Sequence, residues 1–111
     1  MSVRLSRCLI LEAPRKVSDG AGGYTETWVE LGKLWADVQG RTGRERDGLG
    51  LPLARVSYRI TVRASPVGAP SRPRPEQRFR EGDRVFPIEA VAEADPGALY
   101  LTCFAREEEL A

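Results

Sequence analysis

The chain has 111 residues, of which 41% are hydrophobic and 30% charged, with a formal net charge of +1. Domains usually hold about 100–150 residues, so one domain, residues 1–111, with one modest core is expected. Histidine is absent, which removes imidazole acid/base catalysis, the Ser-His and Cys-His nucleophile pairs and the commonest metal ligand.

The longest uninterrupted apolar runs are four residues, Cys8 to Leu11 and Ala98 to Leu101. Neither is long enough to span a bilayer or to serve as a signal-peptide core, so the reading is a soluble, unsecreted chain with no membrane partner. Cys8 and Cys103 are the two cysteines, nearly the whole chain apart. With no zinc spacing and no disulfide framework, both are expected to be buried free thiols.

The net charge conceals a polarity. Residues 1–38 carry five bases and five acids; residues 39–84 carry eleven arginines against five acids; residues 85–111 carry Arg106 against six acids. Potential is local, because charges farther apart than a Debye length of about 8 Å do not cancel at a surface. A basic middle and an acidic end suit either two different partners, a head-to-tail contact between identical subunits, or simple adjacency within one fold.

In chain order, Leu5, Leu9 and Leu11 share a parity and predict a first strand near Arg7 to Ala13. Val17 to Gly23 is glycine-rich and is expected to be a loop. Tyr24 to Val38 is β-prone, with Leu34, Ala36 and Val38 on one parity and Lys33, Trp35 and Asp37 on the other. A tryptophan on a polar face is either covered by a loop or offered to a partner.

The strongest element is Ala54 to Ala64. Val56, Tyr58, Ile60 and Val62 alternate with Arg55, Ser57, Arg59, Thr61 and Arg63, giving a strand with one apolar and one basic face. Arg84 to Val91 is a strand with Phe86, Ile88 and Ala90 together on one apolar face, and Pro87 puts it at an edge or a bulge. Asp95-Pro96-Gly97 is a turn. Ala98 to Ala105 then has Leu99, Leu101 and Cys103 on one face and Tyr100 and Phe104 on the other, so it is sandwiched in the fold or at a subunit interface. Arg106 to Ala111 is expected to be a solvated acidic tail with at most one loose helical turn.

Two connections stand out, Gly40 to Leu53 with its glycines and the proline-rich Ser65 to Glu76. Unstructured loops of about 12–15 residues are uncommon in compact domains and are usually functional or disordered. Five or six short strands with Gly/Pro turns predict an all-β antiparallel barrel or sandwich.

Enzyme chemistry finds little footing. Gly40-Arg41-Thr42-Gly43 is not followed by the Gly-Lys-Ser/Thr of a phosphate-binding loop. Glu81 and Asp83 flank Gly82 with nothing converging on them. No catalytic or metal-ligating residue is nominated, and no cofactor is expected. The rival class is a stand-alone nucleic-acid-binding barrel using Arg55, Arg59 and Arg63 together with Arg41, Arg44, Arg46, Arg72, Arg74, Arg78 and Arg80 against phosphates. Its weakness is a shortage of aromatics among those arginines for base stacking.

Thr27-Trp28, Leu34-Trp35-Ala36-Asp37-Val38, Tyr58-Arg59-Ile60-Thr61-Val62-Arg63, Arg80-Glu81-Gly82-Asp83-Arg84-Val85-Phe86-Pro87-Ile88 and Leu99-Tyr100-Leu101-Thr102-Cys103, in that order, resemble the head–tail joining proteins of tailed phages, the head-closure or stopper proteins of the connector. Gene-transfer-agent relatives belong to the same group. The resemblance implies a small β-barrel of five to six strands in a homo-oligomeric ring. That ring would lie between the portal/adaptor ring and the tail terminator, in the neck of a particle assembled in the bacterial cytoplasm. It also implies that residues 40–55 project toward the channel, where Arg41, Arg44 and Arg46 meet packaged double-stranded DNA transiently and Leu49, Leu51 and Leu53 pack between neighbours. Candidate subunit or ring contacts are Trp35, Arg59, Arg63, Tyr100 and Phe104, with Arg72 and Arg74 on a proline-rich docking arm at residues 65–76.

Overall fold

The computed structural model describes residues 3–46 and 52–108, with the backbone alone at 42–46 and 52–55. Six strands are present among them: β1 (Arg7–Ser18), β2 (Tyr24–Arg46), β3 (Pro52–Arg63), β4 (Arg78–Glu81), β5 (Arg84–Glu93) and β6 (Tyr100–Arg106). All neighbours are antiparallel, and the sheet closes on itself in the order β1-β2-β3-β6-β5-β4. The expected all-β barrel is therefore observed, with six strands.

Alternation fills the barrel. Leu9 and Leu11 of β1, Ala36 of β2, Ile60 and Val62 of β3, Phe79 of β4, Phe86 and Ile88 of β5, and Leu101, Cys103 and Ala105 of β6 form one buried cluster. The parity read for residues 54–64 holds within the barrel, where Ile60 and Val62 are fully buried, Tyr58 packs against the core, and Arg59 and Arg63 face out. It fades at Val56, which is 48% exposed, because β3 has passed its last β6 partner there: that ladder ends at Ser57 opposite Arg106.

Four expectations need correction. The first strand runs to Ser18, and the predicted loop at Val17 to Gly23 shrinks to a turn at 19–23. There, Asp19 Oδ1 accepts hydrogen bonds from the amides of Ala21 (2.8 Å) and Gly23 (3.0 Å), while Gly20 and Gly22 take positive φ. Ala90 faces solvent: the β5–β6 register slips between Ile88 and Ala90, so Val91 turns back toward Cys103 and the core. Pro87 lies just before this bulge, consistent with its lack of a ladder donor. Leu99 precedes β6 and is 65% exposed, although its parity matches the core. The Asp95 turn holds it there, with Oδ1 accepting from the amides of Leu99 and Tyr100, both at 3.0 Å. Finally, Cys8 is exposed, whereas Cys103 is buried as expected.

The longest departure concerns Gly40 to Leu53. Its described part is a two-stranded ribbon: Thr42 pairs with Val56, and the ladder continues to Arg46 opposite Pro52. From Thr42/Val56 outward neither strand has a second neighbour among the described residues, so five residue pairs, about 17 Å at strand spacing, leave the barrel. Leu49 and Leu51 lie outside the described residues.

Core truncation and bulge placement give separable effects. Phe79→Ala is expected to lower unfolding free energy by about 3–5 kcal/mol in urea denaturation. Ala90→Ser is expected to stay within about 0.5 kcal/mol of the wild type, as an outward-facing position should.

Candidate assembly surfaces

The barrel's two ends are closed by different chemistry, and this fixes what its surface offers. At the Arg63 end, residues 64–77 carry the chain from β3 across to β4, which stand opposite each other in the strand order. This crossing accounts for the length of the proline-rich connection. It is folded by short turns: Ala69 N–H donates to Pro66 O and Arg72 N–H to Ala69 O, both at 3.0 Å. Pro73 is fully buried, and Gln77, 8% exposed, accepts the Arg74 amide at 2.9 Å. Arg72 donates to the Ser65 carbonyl at 2.7 Å, within its own segment, while Arg74 is exposed.

At the other end five elements contribute a polar cluster. Arg7 donates to Glu81 through Nε at 3.0 Å and through Nη2. Arg84 donates to Glu107 through Nε (2.8 Å) and Nη2 (3.1 Å), and the Tyr58 hydroxyl donates to the same carboxylate at 3.0 Å. The Tyr58 ring meets Phe86 edge-on at 5.1 Å, and Arg84 lies 5.0 Å from the Phe86 centroid. Hydrogen bonds from Arg84 hold the Glu107 carboxyl below its ordinary value, and those from Arg7 do the same for Glu81. Glu107 is thus tied down, and Glu108 bridges to Val85, its amide donating to the Val85 carbonyl. The tail is extended at 107–108; residues 109–111, where the rest of the expected acidic tail falls, lie outside the described part.

A third cluster, which the sequence did not suggest, sits on the flank. Glu12 is 6% exposed and accepts Arg78 Nε at 2.8 Å and Arg80 Nε at 3.0 Å, while Arg78 also lies 3.9 Å from the Trp28 ring centroid. Burial alone pushes the Glu12 carboxyl up, but the two guanidinium hydrogen bonds outweigh it and the net shift is downward from 4.5. Two of the arginines considered for phosphate contact are therefore engaged internally. Detecting this from sequence requires knowing that β1 pairs with β4 and places Glu12 opposite Arg78.

One continuous outward face spans three strands. Trp35, Asp37, Gln39 and Arg41 on β2 lie beside Arg59, Thr61 and Arg63 on β3, followed by Tyr100, Thr102 and Phe104 on β6. Trp35 is 59% exposed and Phe104 37%. Arg59 lies 5.7 Å from the Phe104 ring centroid and Arg63 5.9 Å from that of Tyr100. The structure therefore groups Trp35, Arg59, Arg63, Tyr100 and Phe104, joined by Arg41, while Arg72 and Arg74 lie on the crossing segment that follows Arg63. Arg44, Arg46 and Leu53 have backbone positions on the bare ribbon. Among the described residues no group of three or more Cys, Asp or Glu could hold a metal ion.

The Glu12 cluster makes a signed pH prediction. Because its folded pKa is depressed, its contribution is complete above the unfolded value and lost as pH falls through the folded one. Glu12→Gln should cost about 1–3 kcal/mol at pH 7, where charge-assisted hydrogen bonds are weakened. The penalty relative to wild type should shrink steadily below pH 4.5 in acid denaturation curves.

A profile of the family described as phage head completion protein matches residues 1–108. A solved chain from the virion of a native gene transfer agent particle shares 50% sequence identity, with a TM-score of 0.80; the alignment covers 99% of this chain and 100% of that one. No curated protein matches.

Proposed function

The chain belongs to the phage head completion protein family, and on that premise we propose that it is a non-enzymatic ring component of the neck of a phage or phage-like particle. In this reading several copies form a collar between the portal/adaptor ring and the tail terminator. The bare β2–β3 ribbon points into the DNA channel and helps retain packaged DNA until the tail is joined.

The observation that carries this reading is the ribbon. A two-stranded hairpin is at best marginally stable in water by itself. One that leaves its barrel for five residue pairs therefore gains little for the fold. Its value lies in reach. It carries Arg41 at its base, Arg44 and Arg46 on one strand and Arg55 on the other. Arginines contact phosphates without reading sequence, which suits DNA of any content passing a constriction. Such contacts weaken with salt, so the hold is reversible when the genome is to be ejected. The structural relative from a gene transfer agent virion is consistent with a place in such a particle.

The ribbon can be removed without disturbing the barrel ladder. Replacing residues 44–54 by Asn-Gly joins Gly43 to Arg55, which are paired, through a two-residue hairpin turn. The isolated variant is expected to melt within a few degrees of wild type, while filled heads carrying it become leaky and their DNA nuclease-sensitive. Loss of folding would make the ribbon structural, and unchanged DNA retention would remove its channel role. Absence of the wild-type protein from purified particles would contradict the whole reading.

A further inference from the structure

The β2–β3 ribbon begins at a fork. β3 follows β6 as far as Ser57 opposite Arg106, and the next pair, Val56 with Glu107, is not formed. Past that point β3 goes out with β2, while the chain beyond β6 stays on β5, where the Glu108 amide donates to the Val85 carbonyl at 2.9 Å. Strands that part in this way leave a wedge between them. A two-stranded ribbon has little packing of its own to hold it in place, so contacts at its root decide its direction.

Three side chains bridge the wedge. Tyr58, Arg84 and Glu107 continue the inward parity of Ile60, Phe86 and Ala105, which are buried. The Tyr58 ring lies on the root of the ribbon: its ladder partner is Gly40, where a methyl group would come within 3.2 Å of Tyr58 Cε1 and 3.7 Å of Val56 Cγ1. The Tyr58 hydroxyl donates to Glu107 across the wedge at 3.0 Å. Glu107 does not follow the ribbon, because Arg84 holds both of its oxygens and also reaches the Tyr58 oxygen at 3.3 Å. Two parallel bonds from one guanidinium are the strong form of such a pair. Its position lets it open. The Arg84 side chain is 41% exposed and that of Glu107 32%, so water competes for both.

We propose that Glu107 is a catch on the ribbon. Closed, it fixes one direction for the ribbon relative to the barrel. Opened, it lets the ribbon swing about the Gly40–Tyr58 pair while the barrel stays folded, since Ile60, Phe86 and Ala105 are buried behind the three polar groups. The inference concerns the chain by itself and rests on neither a ring nor DNA. On the channel reading above, the catch sets the ribbon's aim.

A distance between ribbon and barrel tests this directly. Cys8 is exposed and pairs with Trp35 in the β1–β2 ladder, and Arg44 lies nine residues further along β2, about 30 Å away at strand spacing. Cys103 is buried, with its thiol pushed up to about 12 by desolvation, so it stays unlabelled. Nitroxides on Cys8 and on the thiol introduced by Arg44→Cys report the ribbon's direction by pulsed electron spin resonance in the full-length chain. With the catch intact, a single narrow distance peak is expected. Tyr58→Phe keeps the ring over Gly40 but removes the bond across the wedge, and Glu107→Gln removes the charge that Arg84 holds. Each should widen the distribution roughly twofold or more, with circular dichroism unchanged, as a local opening does. The two combined should widen it no further, because both act on one link. Glu81→Gln breaks the neighbouring pair with Arg7 and should leave the peak narrow. A broad peak with the catch intact, an unchanged width in Tyr58→Phe and Glu107→Gln, loss of folding in either, or equal widening in Glu81→Gln overturns the catch. All of these outcomes leave the ring reading standing, since they are read on isolated chains.

Discussion

The structure depends on a four-residue strand. β4 alone joins β1 to β5: Phe79 faces Leu11 on one side and Phe86 on the other, and all three side chains are fully buried. Without that link the sheet would be an open one with two long unpaired edges, a template for aggregation. The link is short but well braced. Arg78 and Arg80, flanking Phe79, share Glu12 on β1, and Glu81 holds Arg7. Apolar contact inside and charged hydrogen bonds outside act on the same few residues. The Gly82-Asp83 turn, with Gly82 at φ 60°, sends the chain straight into β5.

Closure frees the longest strand for other work. β2 has 23 residues, but its ladder with β3 begins only at Ala36, and β4 leaves β1 after Glu12. Ala13 to Ser18 with Tyr24 to Val29 therefore forms a second bare ribbon, matching the one beyond Thr42. The register slip between Leu11 and Glu12, opposite Gly32, marks where barrel becomes ribbon. One strand thus runs from an arm, through the core, to another arm. Both ribbons and the Trp35 face are therefore carried by the same strand. The carboxylates of Glu12, Glu81 and Glu107 are held by arginines of the same barrel.

The barrel was legible because burial imposes alternation. Ile60, Val62, Leu101 and Cys103 announce themselves through parity, and Asp95-Pro96-Gly97 through turn chemistry. The ribbons were not legible, because with no buried face there is no period-two signal, and glycine and arginine made residues 40–53 look like a loop. Ala90 was misjudged for a related reason: a single bulge inverts every later parity on its strand, and nothing in composition marks one. The length of the proline-rich stretch was visible in the sequence, but the strand order that demands a crossing from β3 to β4 was not. Among candidate contact residues, parity put Trp35, Arg59, Arg63 and Phe104 on the outward faces of their own strands, and the register sets those strands side by side. The ion pairs of Glu12, Glu81 and Glu107 join residues 23 to 74 positions apart and needed the register.

The account stands or falls on where this chain sits in an assembled particle. A cryo-electron microscopy reconstruction of the neck, at a resolution that traces strands, measures this directly. The account predicts a closed ring of these barrels between head and tail, with the β2–β3 ribbons on the axial side of every subunit. Barrels dispersed elsewhere in the particle, or a ring whose β2–β3 ribbons point outward away from the channel, would contradict it.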